Sequence, residues 1–208
     1  DELMGGYLYF HKTPNDYIFD NECKRLLSNI HYFDVLRSDR SIASHGLEPR
    51  TPMLDKNFVE NYLSISVSER SHINYNDFYN DRSGVEKYLI RKSVEKENPN
   101  LLPKSILWRQ KEAFSDGVSS LQKSWYEIIQ DYITELIDND KELYKEIEST
   151  IYPSHLDCSS IEQKYYYMIF NKNYRNCSHL IPYYWMPNFV DATDSSARTL
   201  KSVYNKNK

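Results

Sequence analysis

The stretch DNECKRLLSNIHYFDVLRSDRSIAS, residues 20–44, has the clearest periodic pattern in the chain. Its apolar residues recur at steps of three and four, which is the spacing of one face of an α-helix. We expect a single helix from Asp20 to Ser44, with Asp20 or Asn21 as its N-cap and Gly46 just beyond its end.

The predicted inward face of this helix changes from apolar to polar halfway along. At about 100° per residue, Asp34 and Arg37 fall in the same arc as the apolar Ile30. One interpretation is an exposed ion pair, which contributes only about 0.3–0.5 kcal/mol. The other is a water-filled cleft in which the two charges hold a zwitterionic or phosphorylated ligand. The pattern alone leaves both interpretations open.

Helical periodicity also dominates the rest of the chain. We expect helices over residues 56–63 and 120–138, and further helices after two capping boxes, Ser83 with Glu86 and Ser159 with Glu162. Strand-like alternation is nearly absent, so the sequence predicts a mainly α fold with one core, or with two small ones.

The C-terminal stretch IPYYWMPNFVDATDSSARTL, residues 181–200, differs from the rest of the chain. It contains two prolines and no helical period, yet it is rich in aromatic residues. A segment this apolar must pack against other parts of the protein. We expect an irregular strap that lies across the helices.

Composition excludes several classes of protein. A formal net charge of −4 gives no basic surface for nucleic acid or for an anionic membrane. No apolar stretch reaches the roughly 18 residues of a membrane-spanning helix, and no export signal is visible. The three scattered cysteines fit reduced thiols. We therefore expect a cytoplasmic protein without a nucleic-acid or membrane partner.

A second charged segment is HGLEPRTPMLD, residues 45–55, which contains Glu48, Arg50 and Asp55. Its two prolines stiffen the backbone and exclude a helix. Charged groups on such a rigid turn form either structural ion pairs or contacts with a ligand, and the sequence does not decide between them.

A third charged segment is LWRQKEAFSDGVSS, residues 107–120, in which Lys111 lies between Trp108 and Phe114. A lysine between aromatic rings can lose hydration and bind a phosphate group. It can equally extend its stem over the edge of a core. Both interpretations stay open at this point.

Four segments together resemble a known enzyme family. They are DELMGGYLYFHK (1–12), YFDVLRSDRSIASHGLEPRTPMLD (32–55), ILWRQKEAFSDGVSS (106–120) and YYWMPNFVDATDSSARTL (183–200). In this order they are similar to the C-terminal part of glutamine-dependent asparagine synthetases, whose synthetase domain belongs to the ATP-pyrophosphatase group. The resemblance implies that residues 1–208 form the helical second half of an α/β nucleotide-hydrolase-like synthetase domain within a longer protein. That family's pyrophosphate loop, of the type S-G-G-x-D-S, and its N-terminal glutaminase domain are absent from this chain.

The resemblance also implies roles for five charged residues. Asp1 would bind the Mg²⁺ ion that bridges the phosphates of ATP, and Glu2 would lie beside the aspartate site. Asp34 and Arg37 would hold the substrate aspartate. Lys111 would be the catalytic lysine that neutralises charge on the phosphates and on the acyl-adenylate.

The implied reaction has two steps. The side-chain carboxylate of aspartate attacks the α-phosphorus of ATP, which gives β-aspartyl-AMP and pyrophosphate. Ammonia, released from glutamine by the glutaminase domain of the parent chain, then displaces AMP to give asparagine. We expect the 208-residue chain alone to be inactive because it lacks the pyrophosphate loop, and a homodimeric parent stays open. The alternatives are a ligase similar to β-lactam synthetases and a non-catalytic helical interaction module.

Overall fold

Every regular element in the described part of the chain is a helix, which confirms the mainly α prediction. The computed structural model describes residues 1–73, 84–118 and 122–196. The chain divides into two units, the first containing residues 1–111 and 188–191, and the second containing residues 112–187 and 192–196 of the described range.

The helices of the first unit are α1 Asp16–Asn29, α2 Asp34–Ala43, α3 Lys56–Ser64, α4 Val67–Arg70, α5 Tyr88–Glu97 and α6 Lys104–Leu107, with 3₁₀ turns at Leu8–Lys12, Ile30–Tyr32 and Pro52–Leu54. Those of the second unit are α7 Phe114–Val118, α8 Trp125–Asn139, α9 Lys141–Ser149 and α10 Ile161–Asn173, with a 3₁₀ turn at Ser178–Leu180. Within the described ranges, no helix is both long enough and apolar enough to cross a membrane.

The prediction of a single helix from Asp20 to Ser44 is wrong. The first helix begins earlier, because the Asn15 side chain accepts a hydrogen bond from the Ile18 amide at 2.9 Å and so caps α1. The chain then breaks at Phe33, whose backbone angles (φ −121°, ψ −100°) are not helical. Because a helical wheel keeps its phase only along an unbroken helix, the predicted inward polar arc does not exist.

The core of the first unit surrounds the double glycine near the start of the chain. Its completely buried side chains include Phe10, Phe19 and Cys23. The ring centroids of Phe10 and Phe19 are 5.0 Å apart in an edge-to-face arrangement. Burial raises the pKa of the Cys23 thiol to about 12, so this cysteine is an inert core residue. A second cluster joins the N-terminal turn to the helices; it contains Leu3, Met4 and Tyr62, with residues of α1, α3 and α5 packed around it.

The core of the second unit lies between α8, α9 and α10. It contains Ile133, Ile137, Ile147 and Met168. α8, Trp125–Asn139, corresponds to the helix predicted over residues 120–138, and Trp125 at its start is 50% exposed. Capping boxes begin two of these helices, Ser124 with Glu127 at α8 and Ser160 with Gln163 at α10.

One predicted capping box is displaced by a residue, and half of the other lies outside the described residues. The box at α10 lies one residue later than the predicted Ser159 and Glu162. Ser83 of the other predicted box lies outside the described residues, and Glu86 instead accepts a hydrogen bond from His11 at 2.5 Å.

The C-terminal strap is irregular over residues 181–196, as the sequence predicts. Residues 188–191 belong to the first unit. There the Asn188 side-chain amide donates a hydrogen bond to Glu22 at 2.9 Å, and the Phe189 ring centroid lies 6.3 Å from that of Tyr9. These contacts attach this part of the strap to α1 and to the 3₁₀ turn Leu8–Lys12.

Replacement of Gly5 by alanine should strongly destabilise the protein. Gly5 has φ +57°, and a Cβ atom there would overlap the completely buried Phe19 ring and lie 3.2 Å from Phe10. Left-handed backbone and overpacking together cost roughly 2–4 kcal/mol. Urea unfolding measures this loss.

The control is Gly117→Ala in α7, where the nearest atom to a new Cβ atom is 3.9 Å away. This control should be neutral or slightly stabilising. Equal stability of the two variants would show that the close approach at Gly5 is absent in solution.

Stability should also fall as the pH drops from 6.5 towards 4, because of the buried His72. Neither ring nitrogen of His72 has a hydrogen-bond partner in the described part of the chain. Burial, together with the charge of His11, lowers the His72 pKa from 6.5 to about 4, with Glu86 opposing the shift. The unfolded chain therefore binds the extra proton first, and native stability is lost below pH 6.5.

This single histidine should lower the free energy of unfolding by about 1 kcal/mol between pH 6.5 and 5.5. Denaturant unfolding of the protein and of His72→Phe at the two pH values tests this expectation. The free energy of unfolding of His72→Phe should not show this decrease. The exposed His179→Phe is the matched control and should keep it. An identical pH dependence in all three proteins would contradict the assignment.

Candidate functional site

The carboxylate of Asp1 lies between two lysines that are distant in sequence. Lys87 contacts one carboxylate oxygen, and the Nζ atom of Lys111 lies 3.2 Å from the other. All three side chains are more than two-thirds buried. Lys87 immediately precedes α5, and Lys111 follows α6 in a segment without regular structure. Partial burial strengthens these interactions relative to ion pairs in water.

Gly6, the second glycine of the N-terminal pair, leaves the space in which Asp1 and Lys87 meet. A Cβ atom on Gly6 would overlap both the Asp1 carboxylate and the Lys87 side chain. The Gly6 amide also donates a hydrogen bond to the Asp1 carbonyl at 2.8 Å, which closes the turn. Glycine is therefore required here for close approach of side chains to the backbone.

Sequence reasoning missed Lys87. It is a single lysine at a helix start, and only the fold brings it to Asp1. Its backbone adopts φ +59°, a left-handed conformation that costs a non-glycine residue about 1–2 kcal/mol. Burial and the neighbouring charge of Arg91 lower the Lys87 pKa. Backbone strain at a buried charged residue is typical of a functional site.

A second group of charges adjoins the first because Asp1 and Glu2 are consecutive. The Tyr7 hydroxyl lies 2.5 Å from Glu2 Oε1 and 3.2 Å from Asp34 Oδ2, so one phenolic proton serves two carboxylates. Burial, and then the charges of Glu2 and Asp34, raise the Tyr7 pKa, so Tyr7 remains a neutral donor.

Asp34 and Arg37 form the intrahelical pair that one interpretation of the sequence predicts. The Arg37 side chain is 76% exposed and that of Asp34 is 42% exposed. The helix nevertheless places Asp34 beside Tyr7, which connects it to Glu2. The five residues singled out by the resemblance are therefore linked by direct contacts, by Tyr7 and by the Asp1–Glu2 peptide bond.

The charged turn of residues 45–55 does not join this group. Glu48 and Arg50 form an exposed pair through two hydrogen bonds of 2.5 and 3.0 Å. Asp55 caps α3 by accepting hydrogen bonds from the amides of Asn57 and Phe58. These contacts favour the structural interpretation of all three residues.

A partly buried hydrogen-bond network around Glu22 packs against Tyr7 through the Tyr9 ring. The Tyr9 ring stacks on that of Tyr7 at 6.0 Å between centroids, and the Tyr9 hydroxyl donates to Glu22 at 2.6 Å. Arg25 and Asn188 donate to the same carboxylate. Burial alone would raise the Glu22 pKa, but these hydrogen bonds outweigh it and lower the pKa. A satisfied buried network of this kind fixes the position of the rings above it.

Asp1 is the residue of this site to which the resemblance assigns a metal ion. In the described part of the chain, no group of three or more His, Cys, Asp or Glu side chains is arranged to hold a metal ion. Mg²⁺ bound with nucleotides uses one or two carboxylates together with phosphate oxygens and water. The Asp1 carboxylate therefore fits a magnesium ion that arrives with phosphates, and does not form a protein-only metal site.

The arrangement has two chemically distinct ends. The partly buried amines of Lys87 and Lys111 can attract an anion, and the carboxylates of Glu2 and Asp34 can attract an ammonium group. Arg37 adds a guanidinium suited to a carboxylate. The arrangement therefore has the chemistry to bind a charged small molecule.

Comparison with known proteins identifies the family. A family model described as asparagine synthase matches residues 11–171, and the chain belongs to this family. Proteins named glutamine-hydrolysing asparagine synthetase from Gallus gallus, Bos taurus and Homo sapiens are 48%, 42% and 40% identical over 201 residues. These alignments cover 97%, 96% and 96% of this chain, and the chain spans about a third (33%) of the length of each relative.

Removal of the Tyr7 hydroxyl should destabilise the protein by about 1–2 kcal/mol. In Tyr7→Phe the carboxylates of Glu2 and Asp34 lose their shared donor while their charges remain close. Chemical denaturation measures the change. Tyr17→Phe, at a ring that is 72% exposed, is the matched control and should have no effect. An unchanged stability of Tyr7→Phe would mean that the hydroxyl does not bridge the two carboxylates.

Proposed function

We propose that this chain provides the aspartate- and phosphate-binding part of a glutamine-dependent asparagine synthetase. The proposed reaction adenylates the side-chain carboxylate of aspartate with ATP and releases pyrophosphate. Ammonia from glutamine then replaces AMP on β-aspartyl-AMP to give asparagine. The observation that carries the proposal is the pair of partly buried lysines on Asp1, adjacent to the carboxylates of Glu2 and Asp34.

The proposed role of the lysines is electrostatic. Lys87 and Lys111 are already oriented around a carboxylate, so a phosphate group could be bound without reorganising them. Preorganised cations of this kind lower the energy of developing charge in phosphoryl and adenylyl transfer. Magnesium, bound to the phosphates and to Asp1, would neutralise further negative charge.

The proposed role of the second group is to hold aspartate. The Glu2 and Asp34 carboxylates suit the α-ammonium group, and the exposed Arg37 guanidinium suits a carboxylate. Tyr7 maintains the separation of the two carboxylates. Because this group adjoins the lysines through the Asp1–Glu2 peptide bond, substrate and phosphates would be bound next to each other, which favours the attack.

The remaining parts of the reaction require a longer protein. The chain has no S-G-G-x-D-S loop for pyrophosphate and no glutaminase segment, so we propose that it is inactive alone. The relatives named above are glutamine-hydrolysing synthetases that are about three times longer, which supports a parent chain of this organisation.

Lys87→Ala and Lys111→Ala in the full-length protein test this proposal. Each should lower aspartate-dependent pyrophosphate release at least 100-fold, because each removes a cation that faces the reacting phosphates. Lys96→Ala is the matched control, because Lys96 is an exposed lysine of α5, the helix that begins directly after Lys87.

The same assay separates the substrates. Undiminished pyrophosphate release by both lysine variants would contradict the proposed phosphate site. Release with an N-carboxyethyl amino acid but not with aspartate would identify a ligase similar to β-lactam synthetases. No release with either substrate from the full-length protein would favour the non-catalytic interaction module.

A further inference from the structure

We infer that Arg91 is a positioning residue that holds Lys87 and Lys111 at the spacing needed to bind phosphate together. This inference rests on the proposed function of the two lysines. Arg91 itself is not among the residues that contact Asp1, Glu2 or Asp34 in the described site. Its guanidinium group instead connects the two backbone segments that carry the lysines.

The contacts of Arg91 are short and are directed at main-chain oxygens. Its Nη1 atom donates to the Leu107 carbonyl at 2.8 Å and to the Arg109 carbonyl at 2.9 Å. Its Nε atom donates to the Glu86 carbonyl at 2.9 Å. Glu86 immediately precedes Lys87, and Arg109 lies two residues before Lys111. One side chain therefore joins both lysine-bearing segments.

The segment after α6 needs such a partner. The helix ends at Leu107, and residues 109–113 have no regular structure. Carbonyl groups at the end of a helix lack partners within the helix. Arg91 supplies donors for the Leu107 and Arg109 carbonyls and thereby fixes the backbone that leads to Lys111.

Two further contacts, both made by Trp108, also attach this segment to α5. The Trp108 indole donates to Glu95 at 3.0 Å, and its ring lies 5.6 Å from that of Tyr88. The segment is thus attached to α5 at three successive positions along the helix: Tyr88, Arg91 and Glu95. This repeated attachment favours a fixed distance between Lys87 and Lys111 over a mobile connection.

Arginine suits this position and lysine does not. The guanidinium group presents its N–H donors in a rigid planar fork, so Nε and Nη1 reach carbonyls on two segments at once. A lysine ammonium is a single point with a flexible stem and cannot bridge the same three oxygens. Arg91→Lys therefore keeps the charge and removes the bridge.

The test uses the full-length protein, with inorganic pyrophosphate and aspartate as separate binding probes. Arg91→Lys should weaken pyrophosphate binding about tenfold in calorimetry and lower the kcat for pyrophosphate release by a similar factor. The KM for aspartate should not change, because Arg91 does not contact Glu2, Asp34 or Arg37. The exposed Arg175→Lys is the matched control and should behave like the parent protein.

The double variant Arg91→Lys with Lys111→Ala provides the second measurement. If Arg91 acts through the lysines, it should weaken pyrophosphate binding no further once Lys111 is removed, since coupled residues are not additive. Additive losses, or parallel losses of aspartate and pyrophosphate binding together with a lower Tm, would indicate a merely structural role and overturn the inference.

Two outcomes separate this inference from the proposed function. If Lys87→Ala and Lys111→Ala leave pyrophosphate binding unchanged, the proposed phosphate site fails. If those variants lose binding while Arg91→Lys matches the control, only the positioning role fails. Should Arg91→Lys not fold, Glu95→Ala removes the acceptor of the neighbouring Trp108 hydrogen bond instead and must weaken pyrophosphate binding, with no effect on aspartate, for the inference to stand.

Discussion

The partly buried contact of Asp1 with Lys87 and Lys111 is the constraint on which the first unit depends. Two ammonium groups close to one another repel, and the carboxylate between them offsets that repulsion only while all three are held together. The chain meets this condition with a tight glycine turn on one side and with the start of α5 on the other. The surrounding helices are required to keep charges from three distant parts of the sequence in one place.

The break at Phe33 shows how local backbone geometry changes the meaning of a sequence pattern. On a continuous helix, Asp34 would point towards the core, where an isolated carboxylate is costly. The break instead places Asp34 at the first turn of a new helix, a position at which a negative charge is favourable. There it can share the Tyr7 proton with Glu2 while Arg37 remains exposed.

Much of the fold, and part of the site, can be predicted from the sequence. The helical class follows from periodicity, and α3 begins where the pattern places it. The number of helices does not, since the sequence predicts five and the described part of the chain contains ten. Errors of a few residues arise at helix ends, where Asn15 rather than Asp20 caps α1, because several polar residues near a boundary can accept the same amide hydrogen bonds. Lys87 could not be predicted from local spacing, since its position depends on tertiary contacts.

The consecutive residues Asp1 and Glu2 belong to the two different ends of the site. Asp1 must stay ionised to hold two lysines, while Glu2, the next residue, shares one phenolic proton with Asp34. Side chains of consecutive residues ordinarily diverge, so one dipeptide can serve both groups without bringing their carboxylates together. An anionic ligand at the lysines would then compete with Asp1 for their positive charge. An ammonium group at Glu2 would reduce the repulsion between the Glu2 and Asp34 carboxylates. If the two proposed ligands bind at this dipeptide, their binding would therefore be coupled by charge.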